Sequence, residues 1–356
     1  MRRISIGYEL GPTGSCWSGG FWRSKPADPA RVSPRGVPTH DQVAVVMNVQ
    51  SLIWALIAAT GVIDYVLFAA EGMTITVPWR AIIYLVTMYG VSVVIQRRYP
   101  AAARLLGAFA QVFAFCQVGA CLTYVAMAAS PFPLADAQLS RADAALGFDW
   151  LGWFMWLKAN PTLHFILAKA YASVPLQLLV LLVYFAYADE KRVDELVLAT
   201  ILSIGIIVPI MALLPALGAW SQHGVGIEPW RSEILTLRSH TLLTVDRTQG
   251  IVTFPSFHTV CGVLLANMAR GRKWFLPVLA LNLLLVASVM SEGAHYGVDM
   301  LSGLAVAGVA IVASRGILAW CARQRVMTTV PQPASGLGML AAHTARAELP
   351  TVPIGS

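Results

Sequence analysis

The residues best suited to chemistry in this chain are Phe254-Pro255-Ser256-Phe257-His258-Thr259 and Gly293-Ala294-His295-Tyr296-Gly297-Val298-Asp299. His258 and His295 both stand at the ends of apolar segments, and His295 is followed four residues later by the carboxylate of Asp299. If residues 295–299 begin a helix, this i,i+4 pair shares one face. The carboxylate then holds the imidazole in one tautomer and stabilises its charged form. An imidazole held in this way is a candidate nucleophile, and His258 opposite it can protonate a leaving oxygen. Arg231 and Arg238, seven residues apart, fall on one face of a two-turn helix, and paired guanidinium groups clamp phosphate oxygens. Ser256 and the free N–H groups at a helix start add anion donors. The chemistry that joins these parts is phosphoryl transfer.

Each part also has an ordinary structural reading. A histidine at a membrane interface can be purely structural, and arginines in a loop outside the membrane can be solvated or paired with headgroups. Pro255 and Ser256 are common helix-start residues. His295 and Asp299 can form a local hydrogen bond and nothing more. Glu292, near His295, reads as a loop carboxylate without a role. The order, spacing and shared side of the set favour the chemical reading over the separate structural ones.

The elements that must position these residues are apolar helices. The chain has 356 residues, 57% of them hydrophobic and 12% charged, against about 25% charged in soluble domains. Apolar segments fall at roughly 43–66, 79–96, 104–129, 163–188, 196–218, 254–270, 274–291 and 298–320, where a span needs roughly 17–25 residues. This predicts an all-α polytopic membrane bundle of about eight transmembrane helices. Basic residues cluster at alternate ends of these segments: Arg97, Arg98 and Arg104, then Lys191 and Arg192, then Arg270, Arg272 and Lys273. The positive-inside rule makes that side and both termini cytoplasmic and places His258 and His295 at the outer face. The net charge of +7 therefore reflects topology rather than nucleic-acid binding. Phe148, Trp150, Trp153, Phe154 and Trp156 form an aromatic stretch, read as an interfacial belt, a short helix lying on the leaflet, or a contact for substrate. The five cysteines have no zinc-type spacing, and no metal or cofactor is expected. Arg2 and Arg3 have no apolar core behind them, so no cleaved signal peptide is read.

The motifs resemble those of the type 2 phosphatidic acid phosphatase superfamily, whose pattern is Lys-x6-Arg-Pro, Pro-Ser-Gly-His and Ser-Arg-x5-His-x3-Asp. Here they stand as Arg231-x6-Arg238-Ser239, Pro255-Ser256-Phe257-His258 and Ser288-Val289-x5-His295-x3-Asp299. Arg231 replaces Lys, Ser239 replaces Pro, Phe257 replaces Gly, and Val289 removes one phosphate-binding cation. The Phe-Pro-Ser-Phe-His and His-Tyr-x-x-Asp forms resemble the branch containing inositol phosphorylceramide synthases and sphingomyelin-synthase-like enzymes, which transfer a headgroup rather than hydrolyse it. The resemblance implies a six-helix core at 104–321. A basic disordered tail at 1–42 and an additional hairpin at 43–103 would precede it, and a flexible tail at 322–356 would follow. It also implies a metal-independent mechanism. His295 attacks phosphorus and forms a phosphohistidine, Asp299 orients it, and His258 protonates the leaving group. Arg231, Arg238 and Ser256 bind phosphate. The expected partners are membrane lipids and a lipid phosphate or diphosphate substrate, and the expected location is a bacterial inner membrane. The leading expectation is a lipid-phosphate phosphatase. A lipid phosphotransferase is the alternative, and a transporter or inactive scaffold on the same fold is a third.

Overall fold

Among the described residues, each of the eight apolar stretches contains helix. The structure is a computed structural model and describes residues 48–76, 79–225, 228–242, 244–245 and 250–329. The tail read at 1–42, and all but residues 322–329 of the one read at 322–356, lie outside the described residues. In chain order the elements are α1 (Val49–Ala70), β1 (Thr74–Ile75), α2 (Trp79–Ile95), α3 (Pro100–Ala128), α4 (Asp136–Ala145), α5 (Trp150–Lys158), α6 (Pro161–Tyr171), α7 (Val174–Ala188), α8 (Glu190–Leu213), α9 (Ala219–Gln222), α10 (Glu228–Arg238), β2 (Thr244–Val245), α11 (Phe257–Ala269), α12 (Phe275–Glu292) and α13 (Gly297–Thr329). The only strands among the described residues are β1 and β2, a two-residue parallel pairing of Thr74 with Thr244 and Ile75 with Val245. The chain is an all-α polytopic bundle.

By length and composition, five helices can cross a membrane: α1, α3, α8, α12 and α13. A sixth span results if α6 and α7, bent by 46° where they meet, count as one. The bend has a local cause. Pro175 lacks the N–H that would bond the carbonyl four residues back, at Tyr171. The remaining apolar helices, α2 with 17 residues and α11 with 13, are shorter. At 1.5 Å per residue α11 is about 20 Å long, well below the roughly 30 Å of a hydrocarbon core. These long apolar helices fit an integral membrane protein. So does α2, which has no buried residue and presents Ile82, Ile83, Tyr84 and Val94 outward. The helix α13 runs on to Thr329, past the core boundary at 321 that the resemblance implies, because the polar residues after Trp320 are compatible with a helix leaving the apolar layer.

The helices pack as two fused groups. The first hairpin is fixed to the rest through α3, which α1 and α2 both contact, and α1 also reaches α8. Ile53, Phe115, Met127 and Met211 are buried at that junction. Leu182, Phe185, Ile207, Val260, Leu265 and Ala307 fill the space between α7, α8, α11 and α13. Burial of each such side chain contributes roughly 1.5–3 kcal/mol in water. In lipid the corresponding gain is close packing, which small residues permit.

One end of the bundle is held by charge. Glu195 on α8 is buried and accepts from Arg270 Nη2 at 2.7 Å, Arg315 Nε at 3.0 Å and Asn267 Nδ2 at 2.9 Å. Arg192 Nη1 donates to the carbonyls of Met268 and Arg270, at 2.7 and 2.6 Å, closing the C-terminus of α11. Arg104 pairs with Glu190 at 2.7 Å. The opposite end carries α4, α5, α9 and α10. The aromatic stretch forms α5, started by Asp149 Oδ1 accepting from Gly152 N at 2.9 Å. Its Trp150, Phe154 and Leu157 are buried, while Met155 and Trp156 are exposed.

Candidate active site

The site is assembled where α11 and α13 begin. Ser256 is the N-cap of α11. It has extended backbone angles, and its side chain accepts from Thr259 N at 3.3 Å. This fixes the first turn and with it His258. Ser256 N donates to Asp299 O at 3.1 Å, which ties the start of α11 to the start of α13. Gly303 makes that approach possible, because a Cβ there would stand 2.6 Å from Ser256 O.

His295 lies in the turn that precedes α13. Its Nδ1 is 3.1 Å from Asp299 Oδ2, and the same oxygen accepts from Tyr296 N at 2.9 Å. Both side chains are almost fully buried, at 3% and 1% exposure. An ionised carboxylate only accepts, so Nδ1 carries the proton and Nε2 keeps its lone pair. His295 is thus held as a nucleophile would need to be.

The turn is stapled from outside. Asp136, at the start of α4, accepts from Leu217 N (2.9 Å), Gly218 N (2.9 Å) and Tyr296 OH (3.0 Å). Asp143, at the other end of α4, accepts from Gly297 N and Val298 N at 2.8 and 2.7 Å, which caps α13 with a negative charge. Burial pushes the Asp143 carboxyl above its usual range, against those backbone donors, which favour the charged form. Burial also raises the Tyr296 phenol, and the Asp136 carboxylate adds to this. Ala294 adopts a left-handed φ of 58°, and its carbonyl accepts from Ala219 N at 2.7 Å. Gly218, with φ of 99°, lies so close that a Cβ would meet Ala294 O at 2.7 Å.

His258 and His295 face one cavity of about 470 Å³. Its apolar wall comes from Phe115, Gly119 and Ala120 of α3, Ile204 of α8 and Val252. Its polar end holds Tyr171, His258, Glu292 and His295. Tyr171 stacks on His258 with ring centroids 4.2 Å apart, and its hydroxyl is 3.2 Å from Nδ1. A more open groove of about 610 Å³ lies beside it, lined by Phe148, Trp153, Trp156, Met290 and Met300. Its carboxylate, Asp149, is occupied as a helix cap, so the smaller cavity is where the reactive groups converge.

The other residues singled out by sequence lie elsewhere. Ser256 is fully buried and not part of the cavity wall. Arg231 is exposed on α10. Arg238 Nη2 donates to the carbonyl of Phe132 at 2.6 Å. Neither arginine lines the cavity, and no Arg or Lys does so among the described residues. Sequence reasoning missed Tyr171 and His164, which stand in an apolar span with no motif around them. Nothing in the sequence marks Asp136 and Asp143 as the groups that hold the turn.

Residues 137–313 match the family model of the PAP2 superfamily. The match to the PAP2 superfamily runs from α4 into α13 and includes His258, His295 and Asp299 together with the staples Asp143 and Gly218. It supports a phosphatase or phosphotransferase type of function. It leaves α1, α2 and α3 outside, although α3 supplies part of the cavity wall. Neither a curated protein nor a solved structure gives a significant match.

Proposed function

We propose that this chain is an integral membrane enzyme that removes the phosphate group from a lipid phosphomonoester or diphosphate through a phosphohistidine on His295. The observation that carries this reading is the buried His295–Asp299 pair facing the same cavity as His258. His295 Nε2 attacks phosphorus, Asp299 stabilises the imidazolium that forms, and His258 gives a proton to the leaving oxygen. Phe257 and His258, the first residues of α11, wall the cavity, so the positive end of that helix favours the phosphate. The apolar wall of α3 and α8 suits the tail of an amphipathic substrate. The basic residues at the end clamped by Glu195 make that end cytoplasmic, and the cavity then serves the outer leaflet.

The test is phosphate release by purified protein from a panel of diacylglycerol phosphate, polyprenyl diphosphate and phosphorylated sphingolipid. The expected result is release from the wild type and none from His295→Ala at equal folded protein. Release that survives the substitution would sink the nucleophile assignment. Chelators should leave the rate unchanged, and a strict metal requirement would reject the scheme.

A second reading, transfer of a phospho-headgroup to an acceptor lipid, is favoured by one observation. Glu292 places a carboxylate in the cavity wall, which is unfavourable for a phosphomonoester of about −1.5 to −2 charge. Labelled headgroup appearing only when an acceptor such as ceramide or diacylglycerol is present would select it.

A further inference from the structure

The scheme above leaves the carboxylate of the cavity idle. Glu292 ends α12 and lines the cavity with Tyr171, His258 and His295. His164 Nε2 of α6 is 3.0 Å from Glu292 Oε1. The contact is an ion pair only when the imidazole is protonated, and the buried Oε1 has no hydrogen-bond donor among the described residues. A carboxylate that is only an acceptor and is short of donors calls for a ligand that brings one. It repels phosphate oxygens and attracts the O–H of a hydroxyl. In a reaction through a phosphohistidine, the group with an O–H to offer is the acceptor of the second step.

We propose that Glu292 is the acceptor-hydroxyl site: its carboxylate binds the hydroxyl of water or of an alcohol and takes its proton as the oxygen attacks the phosphorus on His295. The inference rests on the reading of His295 as nucleophile. The acceptor O–H bond breaks and its proton passes to Glu292. The oxygen forms the new P–O bond, and the P–N bond to His295 breaks with its electron pair returning to the imidazole nitrogen. His164, with about a third of its side chain exposed (35%), then takes that proton from Glu292 on its unprotonated Nε2 and releases a proton outward. The work is thereby divided, with His258 serving the leaving oxygen and Glu292 the incoming one.

The experiment is rapid quench with diacylglycerol phosphate labelled in the phosphate, following the acid-labile, base-stable phosphoenzyme in wild type, Glu292→Gln and Glu292→Asp. One arm contains water alone and the other adds diacylglycerol lacking the label. The expected result is that Glu292→Gln forms phosphoenzyme to the wild-type amplitude but loses it about a hundredfold more slowly, with partial recovery in Glu292→Asp. Slowing in the water arm identifies water as the acceptor. Slowing confined to the other arm identifies an alcohol. Wild-type decay of the Glu292→Gln phosphoenzyme in both arms overturns the proposal, as does failure of that variant to form any when the wild type does. The underlying reading fails separately, if the wild type forms no phosphoenzyme or His295→Ala still forms one.

Discussion

His295 and Asp299 were singled out by a spacing of four, which would put both side chains on one face of a helix begun at His295. The helix begins only at Gly297, and the contact between Nδ1 and Oδ2, 3.1 Å, is made from the turn before it. Asp299→Asn keeps the shape but no longer favours the imidazolium, and turnover should fall about a thousandfold or more with little change in melting temperature. Tyr171→Phe keeps the ring stack on His258 and removes the hydroxyl, so turnover should fall about tenfold, whereas Tyr171→Ala should lose more. No feature of the sequence marks Tyr171, because its relation to His258 is purely tertiary across 87 residues. Arg231 and Arg238 show the opposite limit. Their spacing fixes the angle between two side chains, but not which way α10 turns its face. Arg238 is engaged with the Phe132 carbonyl, so Arg231→Ala and Arg238→Ala should each lower turnover by less than about tenfold. A loss comparable with that of His295→Ala would show that α10 moves onto the phosphate.

Among the elements, α4 has a role out of proportion to its length. Its aspartates hold two separate backbone segments against each other, the Leu217–Gly218 turn and the start of α13. Removing Asp136 as Asp136→Ala strands the Leu217 and Gly218 N–H groups and the Tyr296 hydroxyl, which should cost about 3 kcal/mol and lower the melting temperature in detergent. Gly218→Ala forces a left-handed backbone on a side chain that also meets Ala294 O. It should cost about 1–3 kcal/mol and misplace His295, so activity and stability should fall together. Hydropathy could not find α4, because a short polar helix and a polar loop have the same composition. The long helices were legible because apolar periodicity over twenty residues has few alternatives. Their ends were less so: α11 begins only at Phe257, and the buried Ile251, Phe254 and Ser256 before it lie outside the helix.

At the scale of the whole molecule, the arginine clamps of the long helices, built on Arg104, Arg192, Arg270 and Arg315, gather at one end, and His258, His295 and Asp299 lie at the other. A cysteine at exposed Ser239, in a cysteine-free background, should react with an impermeant thiol reagent from outside, and one at exposed Lys191 only after permeabilisation. The reverse pattern would invert the proposed topology. The pairing of α11 with α13 has a further consequence. These helices are joined at the site by Ser256 N to Asp299 O, at 3.1 Å, and at the far end by Arg315 Nη2 to Asn267 Oδ1, at 2.8 Å. The helix α3 across the cavity contributes Phe115, Cys116, Gly119, Ala120 and Thr123 but none of the residues assigned to the phosphoryl transfer. Substrate preference can therefore drift without disturbing the chemistry. Changes in α3 should appear in KM and in the tail length that is accepted, while kcat stays constant for any ester that still fits. Gly119→Leu, placed where the nearest neighbours of an added Cβ are Phe115 and Ile204 at ordinary contact distance, should raise KM for long-chain substrates and leave kcat for a short-chain phosphate ester unchanged.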